Sequence, residues 1–181
     1  ESLENEEQTL VQKLKNEAAK LSDSRKKAAI KLSKEVSASL KNLGFLKADF
    51  SIAFEAKDPA ADGMDKIDFI FAPNPGEAAR PLREIASSGE MSRVMLALKT
   101  VIAENDSVPV LLFDEIDVNI GGETAVKVGE ALKKLSSTHQ VLCISHLPQV
   151  AAAADRHMLV SKQVSGKRTS SSITVLEGKE R

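Results

Sequence analysis

The sequence predicts an α/β fold: a parallel sheet with flanking helices, antiparallel strands at the edges, and one long helix at the N-terminal end. Two short apolar runs, 110–113 and 141–144, are predicted to be strands buried on both faces. They enclose a helical pattern, which is typical of a parallel strand–helix–strand unit. Residues 50–54 and 67–71 alternate apolar with polar side chains, the period of half-buried antiparallel strands. Residues 3–43 contain neither Gly nor Pro and consist mostly of helix formers.

Length and composition indicate a globular protein. A chain of 181 residues with 42% hydrophobic and 28% charged residues is expected to form one domain with an appendage. The net charge of −1 favours no class of partner. Cys143 lies in an apolar run, which predicts a reduced core residue and excludes an internal disulfide framework. Since no apolar run could span a bilayer and no signal peptide opens the chain, we expect a cytoplasmic protein with no membrane partner.

Residues 1–44 are predicted to form a coiled-coil arm. A helix of this length would measure roughly 60 Å, and its polar flanks mean that it needs a partner helix. No second long helix follows in the sequence, so we expect an antiparallel coiled coil whose other strand is missing. Gly44 is expected to end the helix. The acidic start without Met indicates a fragment or a processed chain.

Residues 45–181 form the second predicted unit. Asp58–Gly63 is expected to be the loop between the antiparallel strands, and Ser87 with Glu90 forms a capping box that predicts a helix start. Further elements are a Gly121–Gly122 turn, a helix to residue 135, a short helix at Pro148, and a hairpin of 157–164 and 170–176 turning at Ser165–Gly166.

Polar residues follow both strands of the predicted parallel unit. Asp114 and Glu115 end the first strand, and His146 follows the second. Because carboxyl ends of parallel strands meet at one edge of a sheet, a ligand site is expected there. Two adjacent carboxylates suit Mg²⁺ with a polyphosphate, where one acid serves the metal and the next activates water. The alternatives are a solvated acidic turn and a hydrogen-bonded structural histidine.

The helix start at 87–90 completes this constellation. Free N–H groups and the helix dipole make Ser87-Ser88-Gly89-Glu90 a candidate anion site, with an ordinary helix cap as the alternative. An acid pair, a histidine and an anion-binding helix start together suit phosphoryl transfer to water.

One part of a nucleotide hydrolase is missing. No G-x-x-x-x-G-K-[ST] loop is present, and Gly166-Lys167 fails the pattern because position 161 is Ser. We therefore expect another segment, upstream in the gene or in a partner, to carry this Walker A loop together with the second coiled-coil strand. The chain alone is expected to be inactive.

Several motifs resemble those of ABC-type, SMC-like ATPases. Residues 82–93 resemble the signature motif, 110–115 the Walker B strand, and Ser145-His146 the switch histidine. From about residue 66 to 176 the chain is similar to the RecN family of bacterial SMC-like DNA repair proteins. That narrower resemblance rests on Asn74–Glu77, Arg93–Lys99, Asp117–Gly122 and Ser145–Ala151. It implies the C-terminal lobe of an ABC/SMC-type P-loop ATPase head for 45–181 and the returning arm of a coiled coil for 1–44.

The resemblance implies a role for each candidate residue. Asp114 would hold Mg²⁺ through its water shell, Glu115 would polarise the attacking water, and His146 would sense the γ-phosphate. The implied nucleotide-binding residues are Ser87, Ser88, Gly89, Glu90 and Asp117, of which Ser87 and Gly89 would grip ATP bound to the other protomer. ATP would thus join two heads into a homodimer, and hydrolysis would open them.

Two positions depart from the family pattern. Ser88 stands where the signature usually has its first Gly, and a side chain there would weaken or reshape the contact with phosphate. Gly121 replaces an aspartate of many related ATPases, although RecN proteins share this glycine-rich loop.

The implied function is an SMC-like ATPase of DNA double-strand break repair and recombination, nucleoid-associated, with double-stranded DNA and its ends as partner. Candidate phosphate contacts are Arg25, Lys26, Lys27, Lys31 and Lys34 on the arm and Arg156, Lys162, Lys167 and Arg168 in the tail, with a solvated charged face as the alternative. The competing interpretations are another SMC-like or ABC ATPase, such as a recombination mediator or nuclease subunit, and a non-catalytic scaffold that keeps the fold.

Overall fold

The computed structural model describes residues 2–165 and 168–177. They form two compact units, divided after Ser87. The predicted turn at Gly166, and Lys167 of the tail, lie outside the described residues. None of the described helices combines the length and apolar composition needed to cross a bilayer.

The first unit combines the long helix with an antiparallel sheet. Helix α1 runs over Ser2–Asn42, and strands β1 (Asp49–Ala60), β2 (Gly63–Ala72) and β3 (Arg80–Pro81) form a sheet in that order. Gly44 follows α1 with φ 95°, a conformation that L-residues rarely adopt, so the predicted helix end is confirmed. The alternating strands are confirmed as well, since Phe50 pairs with Phe71.

The second half of α1 packs on β1 and β2. Val36 and Leu40 are fully buried there. Near the middle of α1, Ser22 donates a hydrogen bond of 2.7 Å to Asp65 of β2, and the Arg25 guanidinium lies 3.4 Å from the same carboxylate. Arg25, a candidate for DNA contact, is thus engaged within the fold by a buried carboxylate.

The predicted loop Asp58–Gly63 is wrong in extent. Strand β1 continues to Ala60, and Ala60 pairs with Gly63 across a much shorter turn. The register shifts between Ala56 and Ala60, which is where Pro59 lies. Such an irregularity accommodates proline in a strand, because proline has no N–H to donate to the ladder.

The second unit contains the parallel pair and the remaining helices. Its elements are α2 (Ser88–Ile102), β4 (Val110–Phe113), α3 (Gly122–Leu135), β5 (Gln140–Cys143), α4 (Pro148–Ala151), β6 (His157–Ser165) and β7 (Arg168–Leu176). Strands β4 and β5 pair in parallel, and β6 pairs with β7 as the predicted hairpin. The α/β class and the strand–helix–strand unit are confirmed.

The prediction that the parallel strands are buried on both faces is wrong. Leu111 and Phe113 are buried, whereas Val110 and Leu112 of the same strand are 44% and 66% exposed. Cys143 of β5 is exposed rather than a core residue. The reason is that the described residues of this unit cover one face of the two-stranded sheet, and a strand is buried on both faces only where layers cover both.

Candidate active site

The acid pair lies at the carboxyl end of β4, as predicted. Asp114 and Glu115 are both exposed, and the Glu115 N–H donates to Asp114 Oδ1 at 2.9 Å. Glu115 has φ 55° and Asn119 has φ 60°, two non-glycine residues in the left-handed region. We name residues 114–119 the acidic loop. Such a strained backbone persists only where surrounding contacts hold it in place. Contacts of this kind are found on two sides of the acidic loop.

On one side, Asp117 links the acidic loop to the segment after β5. Its Oδ2 accepts hydrogen bonds from Ser145 Oγ at 2.5 Å, from His146 N at 2.8 Å and from Leu147 N at 3.0 Å. Its Oδ1 lies 3.1 Å from Nδ1 of His146. The carboxylate of Asp117 is therefore satisfied entirely within the chain, and its side chain is only 1% exposed.

These contacts keep Asp117 ionised. Burial by itself raises the pKa of a carboxyl, but the hydrogen bonds from Ser145, His146 and Leu147 and the nearby His146 ring together hold the pKa of Asp117 below its ordinary value. A buried anion thus lies at the centre of the site.

On the other side, the first two turns of α2 pack against the acidic loop. Ser88 Oγ donates to the Glu115 carboxylate, and Ser92 Oγ donates to the carbonyl of Asp114 at 2.8 Å. A Cβ on Gly89 would lie 3.0 Å from the carbonyl oxygen of Glu115 and 3.1 Å from Cβ of Val118. A side chain at position 89 would therefore have to displace the acidic loop of the same chain.

Arg93 was not predicted as a site residue. It is 6% exposed and donates to the carbonyls of Ile116 at 3.3 Å and Val118 at 3.0 Å, while burial lowers the pKa of its guanidinium. The sequence indicates only that Arg93, four residues after Gly89, lies on the same face of α2 as Gly89. It does not reveal that the Arg93 side chain bonds backbone carbonyls of the acidic loop.

The structure brings together most of the predicted site residues. The acidic loop, Ser145, His146 and the start of α2 with Ser88 and Gly89 lie in one unit, and Ser87 immediately precedes α2. Asp117 does not fit the expected role of a nucleotide ligand, because its side chain is buried.

The thiol of Cys143 lies near the same carboxylates. Partial burial and the charges of Asp117 and Asp114 raise the pKa of Cys143 to about 11, so its thiol stays protonated at neutral pH.

The residues present fit a magnesium ion held jointly with phosphates. The described part of the chain contains no group of three His, Cys, Asp or Glu side chains able to hold a metal by themselves. Mg²⁺ bound to nucleotides usually takes one or two carboxylates, waters and phosphate oxygens rather than an all-protein cage. The exposed Asp114 at the end of β4 supplies such a carboxylate.

Curated relatives match the chain over nearly all its length. The DNA repair protein RecN of Halalkalibacterium halodurans is 39% identical over 99% of the chain and 33% of its own length. RecN of Treponema pallidum is 42% identical over 100% of the chain and 33% of its own length, and RecN of Rickettsia conorii is 47% identical over 91% and 30%. The chain is related to the RecN family. It spans about a third of the length of these RecN proteins, and no protein-family model matches it.

Solved structures show the fold of SMC heads. The Smc head domain with a coiled coil and joint from Pyrococcus yayanosii aligns with a TM-score of 0.67 at 22% identity, covering 99% of this chain and 33% of that one. The Smc head domain with an extended coiled coil from Pyrococcus furiosus, bound to the C-terminal domain of ScpA, gives 0.58 at 21% identity over 84% and 36%. This RecN-related chain therefore has the fold of part of an SMC head.

Proposed function

We propose that the chain is the C-terminal part of a RecN-type ATPase that acts in DNA double-strand break repair in the cytoplasm, at the nucleoid. The observation that carries the proposal is the joined site: Glu115 after β4 and His146 after β5 are connected through Asp117. The relation to RecN supplies the repair context. ATP is the proposed nucleotide, with Mg²⁺ as its metal.

The second half of the proposal is that the N-terminal part of the same protein completes the head. It would supply the Walker A loop and the second coiled-coil strand. The exposed apolar residues of β4 and β5 and the chain's share of its relatives' length both support this. The exposed leucines Leu3, Leu10 and Leu14 on α1 provide the surface for the second strand.

Each site residue has a step that its position supports. The Glu115 carboxylate takes the proton of the attacking water, and His146, 67% exposed, contacts the γ-phosphate. Asp114 would hold Mg²⁺, which would neutralise charge on the phosphates. Ser87, Ser88, Gly89 and Glu90 at the start of α2 offer N–H groups to the ATP of a second head, so two heads form a homodimer around nucleotide.

The test is steady-state ATP hydrolysis by the full-length gene product, with and without linear double-stranded DNA. We expect turnover that DNA stimulates and that Glu115→Gln abolishes, with ATP-dependent dimers accumulating in the variant. Glu130→Gln, an exposed glutamate of α3, is the matched control and should hydrolyse ATP like the wild type. Indifference to Glu115→Gln, or no turnover at all, would leave the scaffold interpretation.

The 181-residue chain alone should not hydrolyse ATP, because it has no Walker A loop. Turnover by the purified chain that disappears with Glu115→Gln would contradict this part of the proposal.

A further inference from the structure

We propose that Asp117 is a positioning residue for His146: it holds the imidazole through Nδ1 and leaves Nε2 as the atom that meets the nucleotide. The inference rests on the proposed ATPase function. It replaces the expectation that Asp117 itself binds the cofactor.

The first support is that both carboxylate oxygens of Asp117 have partners in residues 145–147. One oxygen of Asp117 takes three donors from residues 145–147, which fixes the backbone on both sides of the histidine. The other oxygen lies 3.1 Å from the ring nitrogen Nδ1. Asp117 therefore determines both where residue 146 sits and how its ring is turned.

The second support is the contrast in exposure between the two side chains. Asp117 is 1% exposed, whereas His146 is 67% exposed. The aspartate cannot meet a ligand directly, while most of the imidazole surface can. Asp117 can therefore act on a ligand only through His146.

The third support is charge. Because Asp117 is held ionised, it accepts a hydrogen bond and cannot donate one. Nδ1 of His146 must then carry a proton, whether the ring is neutral or cationic. Fixing the tautomer in this way is the usual contribution of a carboxylate behind a functional histidine.

The test is a double-mutant cycle on ATP hydrolysis by the full-length protein. Asp117→Asn keeps the shape of the side chain but removes its charge, and we expect kcat to fall roughly 10- to 100-fold. In a His146→Ala background the same change should have no further effect, because its route of action is already gone. An equal factor in both backgrounds would overturn the inference.

Asp58→Asn, the same substitution at an exposed carboxylate of β1, is the matched control and should leave kcat at the wild-type value. Ser145→Ala is the graded comparison: it removes one hydrogen bond to the Asp117 carboxylate but leaves the contact between Oδ1 and Nδ1. We expect Ser145→Ala to lower kcat by a smaller factor than Asp117→Asn does. A loss as large as that of Asp117→Asn would show that the site needs the whole loop intact rather than an oriented histidine.

The tautomer of His146 can also be measured in the wild-type protein. In ¹⁵N-histidine spectra, the resonances of His146, assigned by their absence in His146→Ala, should show a proton on Nδ1 throughout the pH titration. A neutral ring protonated at Nε2 would overturn the inference even if ATP hydrolysis is normal. If the wild type does not hydrolyse ATP, the proposed function fails, and the spectrum still decides the tautomer.

Discussion

At the scale of single residues, the site depends on close approach between α2 and the acidic loop. Gly89 leaves space for the carbonyl of Glu115 and for Val118, and Ser88 reaches the Glu115 carboxylate. Both residues belong to the motif that resembles the SMC signature, yet both contacts lie within one chain. The start of α2 therefore shapes the acidic loop of its own chain.

Gly89→Ala should destabilise the protein. The added Cβ meets a backbone carbonyl oxygen at 3.0 Å, which cannot yield without moving the strained loop, so we expect a loss of about 1–3 kcal/mol in the free energy of unfolding. Urea denaturation measures it. Gly121→Ala is the control, because nothing lies within 4 Å of its Cβ position and its φ of −168° suits any residue. Equal midpoints for the two variants would contradict the prediction.

Ser88→Gly should raise ATP turnover of the full-length protein a few-fold. The Ser88 hydroxyl holds the Glu115 carboxylate against α2, so its removal frees that group for water and restores the usual glycine. Ser88→Ala separates the two effects, since it removes the hydroxyl but keeps Cβ. If turnover rises in both variants, the hydrogen bond is the restraint; unchanged or lower turnover in both would refute the prediction.

At the scale of elements, α1 divides into a packed half and an uncovered half. Val36 and Leu40 are buried against the sheet, whereas Leu3 and Leu10 are 81% and 58% exposed. One helix thus presents apolar residues to two different surfaces. The pattern predicts the helix, but it does not reveal where the covering sheet ends.

The junction of α2 and β4 is stabilised by charge. Lys99 of α2 donates to Asp106 Oδ2 at 2.6 Å, and Val108 N donates to Oδ1 at 3.1 Å. His139, before β5, places Nε2 3.8 Å from the same carboxylate. The hydrogen bonds from Lys99 and Val108 and the charges of Lys99 and His139 outweigh desolvation and lower the pKa of Asp106 below its ordinary value.

Asp106 should therefore contribute to acid lability. Because its pKa is lower in the folded state than the usual value of about 3.9 in the unfolded chain, its contribution is full above that pH and is lost as the pH falls through the folded pKa. Urea unfolding of Asp106→Asn from pH 7 to pH 3 should show lower stability at neutral pH and a smaller loss on acidification. Asp58→Asn, at an exposed carboxylate of β1, is the control. Parallel pH curves for wild type and Asp106→Asn would contradict the assignment.

At the scale of the whole molecule, the described residues leave apolar side chains exposed on the parallel pair and on the hairpin. Leu112 and Ile144 are 66% and 59% exposed at the end of the parallel pair, and Val160 and Ile173 of the hairpin are 62% and 68% exposed. Surfaces of this kind on folded proteins are usually interfaces. The proposed N-terminal half of the head would cover them.

Leu112→Lys should have opposite consequences in two contexts. In the isolated chain Leu112 faces solvent, so we expect a melting temperature close to that of wild type and less aggregation. In the full-length protein a lysine would be buried in the proposed interface, and the melting temperature should fall by several degrees. Thermal denaturation of both proteins checks it. Equal tolerance in both contexts would show that another surface receives the N-terminal half.

The sequence by itself determined the elements and their order. The pattern of residue types specified α1, the alternating β1 and β2, and the parallel unit of β4, α3 and β5, because the period of a helix or strand is a local property of a chain. It also placed Asp114, Glu115 and His146 at strand ends, since the ends of parallel strands share an edge.

Only the tertiary structure decided what those residues touch and which faces are covered. Asp117 and His146 lie 29 positions apart, and their contact depends on how the α3 crossover returns the chain, which no periodicity encodes. The exposure of Leu112 was equally beyond sequence reasoning. Burial of a sheet face depends on the layer that covers it, and the described residues of this unit cover one face of the β4–β5 pair.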